Sequence, residues 1–108
     1  MLTRFEITSR HPVLDGRVFG AAGAYEQLTG SAFFEFDPEH PRNAAVVDLD
    51  LAPRNDTGRV ECRADIWILQ PQEPVLGNGN LLYYVVNRGR QGALSTFNLA
   101  AGSNAPTT

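Results

Sequence analysis

The sequence predicts a mainly β chain of antiparallel strands that changes near residue 80 into the start of an α/β arrangement. Three observations lead there. Apolar and polar residues alternate with period two in stretches from the N-terminus to residue 69, the pattern of half-solvated strands. The 10 glycines and 7 prolines among 108 residues fall largely between those stretches. One later run, Leu81, Leu82, Tyr83, Tyr84, Val85 and Val86, is apolar on both faces, as a strand covered from both sides is. A chain of this length has room for one domain at most. We divide it into a β-rich region over residues 1–79 and the incomplete start of an α/β core over residues 80–108.

The first strand is predicted around Phe5 and Ile7, whose alternation with Arg4, Glu6 and Thr8 sets one apolar face against a core; it suits a sheet edge. Asp15-Gly16 marks a turn in which glycine supplies positive φ, and Val18-Phe19 follows as a short extended piece. Residues 25–28 and 31–36 read as a hairpin-like pair or as one bent strand, with Phe34 and Phe36 on one face and Phe33 and Glu35 on the other. Asp37-Pro38 and His40-Pro41 end it, because proline lacks the ladder donor.

Val46, Val47, Leu49 and Leu51 interleave with Asp48 and Asp50, which predicts a further strand before Pro53 and the turn at residues 54–58. Residues 59–69 give the longest strand, with Val60, Cys62, Ala64, Ile66 and Ile68 on one face. Pro71 and Pro74 close it, and the glycines and asparagines of residues 77–80 lead into the apolar run. Asn87-Arg88-Gly89 follows at once, and residues 91–101 carry modest helical character.

Composition excludes several function classes. The chain carries 9 basic and 12 acidic residues for a net charge of −3, so it lacks the cationic excess that nucleic acid or an anionic membrane demands. Cys62 is the only cysteine, which rules out an intrachain disulfide and a zinc site of paired thiolates. Charges interrupt residues 1–10, leaving no apolar signal region. The apolar run is six residues long, against roughly 20 for a membrane helix. The chain is expected to be soluble and cytoplasmic.

Candidate chemistry is sparse. A nucleophile elbow needs glycine two residues to either side of a serine, because its strand-to-helix turn is crowded; Ser9, Ser31, Ser95 and Ser103 all lack that flank. His11 and His40 each precede proline in turn-like contexts and are read as structural or exposed. Asp48 and Asp50 share a strand face without a third ligand, so solvent rather than a metal accounts for them. Gly77-Asn78-Gly79 is a tight turn, not a dinucleotide loop. Cys62 is read as a small packed hydrophobe, and Trp67, Tyr83 and Tyr84 as sheet aromatics that could also line a sugar-binding face. Asn87, Arg88 and Gly89 occupy the loop leaving a strand, where fixed backbone N–H groups can meet a developing oxyanion.

Tyr84-Val85-Val86-Asn87-Arg88-Gly89, together with residues 48–55, residues 19–26, Phe97-Asn98 and residues 103–108, resembles the N-terminal part of a family of bacterial α/β-hydrolase-domain proteins. The similarity runs over essentially the whole chain. It implies a β-rich region that leads into the first strand and helix of an α/β-hydrolase core, and an activity on ester bonds with a small-molecule ester as substrate. The nucleophile, acid and base of a serine ester hydrolase are expected beyond Thr108, so no catalytic residue is assigned. Asn87, Arg88 and Gly89 match an oxyanion or substrate loop. No cofactor and no metal is implied. Self-association through an exposed strand 81–86 is expected of the chain by itself. The competing reading is a self-contained β-sandwich-like binding module of five or more strands for carbohydrate or a protein partner.

Overall fold

A computed structural model describes residues 1–98. Three strands, β1 (Leu2–Pro12), β2 (Tyr25–Phe36) and β3 (Val60–Pro71), form one antiparallel sheet in the order β1-β2-β3. β1 is an edge strand, as its alternation suggested, and β2 is the centre. The two halves of β2 separated in the sequence by Gly30 are one continuous strand. Gly30 is there for space: a Cβ on it would lie 1.8 Å from the carbonyl oxygen of Glu6 in β1, closer than any side chain tolerates. One short helix, α1 (Ala93–Asn98), falls in the segment with helical character; its expected continuation to residue 101 lies outside the described residues.

The chain divides into two compact units that interleave along the sequence, residues 1–10 with 28–68 and residues 11–27 with 69 onward. In the first unit Glu35 N–H donates to the Met1 carbonyl at 2.9 Å, and Thr3 Oγ1 to the Phe33 carbonyl at 3.2 Å. Leu28, Ala32 and Val60 are its buried apolar residues, and Ser31 is buried beside them. Phe34 and Phe36 stack at 6.1 Å, the shared face that their spacing predicted.

In the second unit Val13 is buried. The turn at Asp15-Gly16 forms as a 3-10 turn over Val13–Gly16, with positive φ at Leu14 and Asp15 as well as at Gly16. Val18 makes an isolated antiparallel bridge with Ala24 instead of a strand. Phe19 meets Tyr25 edge-on at 5.7 Å, and Gln72 N–H donates to the Ala24 carbonyl at 2.8 Å.

Four expectations are corrected. Phe5 and Ile7 do not face a core; both are exposed. The alternating residues 46–51 form no strand. Val46, Leu51 and Ala52 N–H groups bond three residues back, to Asn43, Asp48 and Leu49, and Asp48 sits at φ 60, so local turns satisfy a backbone that finds no neighbouring strand. Cys62 is exposed rather than packed. Residues 81–86 join no strand and are exposed throughout, from 40% at Tyr84 to 88% at Leu81. A run with two apolar faces needs neighbours on both edges and layers on both faces, and the described residues supply neither. The described residues hold three strands, short of the five or more expected of a sandwich.

Candidate functional site

Asn87, Arg88 and Gly89 open a tight turn in the second unit. Arg90 N–H donates to the Asn87 carbonyl at 3.0 Å, and the two residues form an isolated antiparallel bridge. Arg88 has φ 51 and Gly89 φ 73. Positive φ at both central positions marks a type I′ turn, whose second position is the usual place for glycine. Gly89 therefore has a conformational reason to be there, and Arg88 adopts a geometry that L residues enter at a cost.

The turn commits the Arg90 N–H to Asn87 and leaves those of Arg88 and Gly89 without an acceptor among the described residues. Arg88 likewise makes no ion pair among the described residues. Adjacent free N–H donors are what an oxyanion site is made of, but such donors act strongly only where water is excluded. Here residues 87–90 are exposed. The turn thus has the donors and lacks the cover. Its neighbourhood includes the start of α1, where Ser95 Oγ donates to the Gly92 carbonyl at 3.0 Å and Thr96 N–H to the same oxygen at 2.9 Å.

The first unit contains polar groups that alternation alone does not reveal. Arg63 Nε donates to Ser31 Oγ at 3.2 Å and Arg63 Nη2 to Asp65 Oδ1 at 3.1 Å, so a buried hydroxyl on β2 is held by an ion pair on β3. The Arg4 guanidinium lies 3.9 Å from the centre of the Phe33 ring and pairs with Glu6 at 2.7 Å. Beside Phe33 is a hollow of about 180 Å³ lined by Thr3, Arg4, Phe34, Glu35, Glu61 and Cys62.

Asn55 organises the mouth of the same strands. Its Oδ1 accepts from the N–H groups of Thr57 and Arg59 at 3.1 and 3.0 Å, which locks the turn read from the sequence. Its Nδ2 donates to Glu61 at 2.9 Å and to Glu35 at 3.3 Å, standing between two carboxylates. The turn was legible from Asn55 and Gly58; the bridge to Glu35 needed the register of β2 against β3.

The remaining sequence candidates are placed as follows. His40 Nδ1 accepts from Arg42 N–H at 3.2 Å and caps the turn Pro41–Asn43, a structural role. His11 is exposed at the end of β1. Asp48 and Asp50 belong to a 3-10 turn region and not to a strand face. Trp67 is half-buried in β3, and Tyr83 is exposed. Among the described residues no three His, Cys, Asp or Glu side chains gather where a metal ion would be held, and no helix is long and apolar enough to cross a membrane. The chain matches no family model, no curated protein and no solved structure.

Proposed function

We propose that this chain is the β-rich N-terminal segment of an α/β-hydrolase that acts on ester bonds, and that it is not catalytic by itself. The observation that carries the proposal is the succession at residues 81–98: an uncovered run apolar on both faces, a tight turn with two free N–H donors, then a helix. Once paired into a sheet the run would supply the strand that, with loop and helix in that order, makes one side of such an enzyme's oxyanion site. The resemblance of residues 84–89 to that family supports the same assignment. In this reading residues 1–79 precede the core, residues 80–108 begin it, and the exposed donors of Arg88 and Gly89 meet the substrate oxyanion once further sheet strands cover them. The protein works in the cytoplasm on a small-molecule ester, without a cofactor.

The reading separates two roles for the turn. Oxyanion stabilisation by backbone N–H groups survives replacement of the Arg88 side chain, whereas pairing of its guanidinium with a substrate carboxylate does not. Hydrolysis of a p-nitrophenyl ester tests the proposal. The native gene product hydrolyses it, and the 108-residue chain does not. Turnover by the purified 108-residue chain that a serine-directed inhibitor abolishes would overturn the reading.

A further inference from the structure

We propose that residues 80–87 form a self-complementary strand through which two copies of this chain pair antiparallel. The order Asn80, Leu81, Leu82, Tyr83, Tyr84, Val85, Val86, Asn87 is a chemical palindrome: amide, two aliphatics, two aromatics, two aliphatics, amide. A twofold axis between Tyr83 and Tyr84 sets Tyr83 opposite the partner's Tyr84, Leu82 opposite the partner's Val85, Leu81 opposite the partner's Val86 and Asn80 opposite the partner's Asn87. Directly opposed residues in an antiparallel pair share a face, with Cβ atoms about 4.5–5.5 Å apart. Each side chain therefore meets its own chemistry at all eight positions, and a twofold interface requires that self-matching.

The backbone is free to accept the partner. Among the described residues no N–H or C=O of residues 81–86 has a hydrogen-bond partner, and all six side chains are exposed. Such a row of open donors and acceptors is a template for strand addition.

Charge selects the direction. No charged residue lies between Glu73 and Arg88, and Arg90 follows. Parallel in-register pairing would stack Arg88 on the partner's Arg88 and Arg90 on the partner's Arg90. Antiparallel pairing sends the two sets to opposite ends of the ribbon, roughly 30 Å apart at about 3.4 Å per residue. The inference does not rest on the hydrolase reading: it concerns the 108-residue chain, in which the run is unpaired and exposed.

The test places single cysteines in a Cys62→Ser background, Asn80→Cys in one preparation and Asn87→Cys in another. Mild oxidation of the mixture is expected to give a disulfide-linked species at twice 11.8 kDa containing one chain of each kind, and several-fold less from either preparation alone. The chain without cysteine substitutions is expected to double its mass with concentration in sedimentation equilibrium. Preferential linking of two Asn80→Cys chains, which reports parallel pairing, would overturn the proposal. So would a monomer at every concentration with no cross-link. Neither result bears on ester hydrolysis by the native product, so the two proposals fail separately.

Discussion

Gln70 Nε2 donates a 2.8 Å hydrogen bond to Oε1 of Glu26, a carboxylate that is only 6% exposed. The pair joins β3 to β2 in the second unit. A buried charge is tolerated only when its oxygens are hydrogen-bonded, and bonds to a charged group contribute more than neutral ones. Gln70→Leu keeps the bulk and removes this donor. It is expected to cost about 1–3 kcal/mol, read as a lowered urea midpoint. An unchanged urea midpoint would show that this bond contributes nothing to the stability of the chain.

Gly30 is required by contact rather than by its dihedral freedom. Any Cβ there meets the backbone of Glu6, which no rotamer change relieves. Gly30→Ala is expected to force β1 from β2 and to destabilise the chain by about 2 kcal/mol or more. Gly58→Ala is the control. Gly58 has positive φ and nothing within 4 Å of its would-be Cβ, so that change strains only a turn. A Gly30→Ala chain with an unchanged thermal midpoint would contradict the close approach.

Asn55 separates two effects that a single substitution would merge. Asn55→Ala loses the turn bonds to Thr57 and Arg59 together with the amide between Glu35 and Glu61. Asn55→Asp keeps an oxygen for the turn but sets a third carboxylate against those two. Like charges at that spacing repel, and salt screens the repulsion. The Asp variant is therefore expected to sit closer to the parent protein in high salt than in low. Denaturation curves at the two salt concentrations check this.

Arg88 occupies a left-handed position that suits asparagine better than arginine. Arg88→Asn is expected to leave the chain equally stable or to raise its stability by a few tenths of a kcal/mol. Gly89→Val, a β-branched residue at φ 73, is expected to lower it by about 1–2 kcal/mol. Thermal midpoints of the two variants, measured side by side, should fall in that order.

The sheet was largely legible in the sequence because its strands alternate and their ends carry proline or turn residues. The stacked pair Phe34 and Phe36 and the turn at Asn55 follow from local spacing. What local spacing does not contain is whether a neighbour exists. Residues 46–51 alternate as well as β1 does, yet no strand edge reaches them and their amides close short turns instead. Cys62 follows the inward parity of β3, but nothing covers it there. Tyr83 and its flanking residues have every strand-forming trait except a partner. The candidate turn shows the same split. Asn87-Arg88-Gly89 was legible as a loop, while its sharpness comes from positive φ at Arg88 and Gly89 and its exposure from surroundings that side-chain order does not describe.

The native polypeptide, treated with a fluorophosphonate that labels activated serines and then weighed intact, tests the central claim most directly. The account predicts a labelled protein heavier than 11.8 kDa that yields the peptides of residues 1–108 and carries the label on a serine outside them. An unlabelled native protein of that mass, inert towards p-nitrophenyl esters, would contradict it.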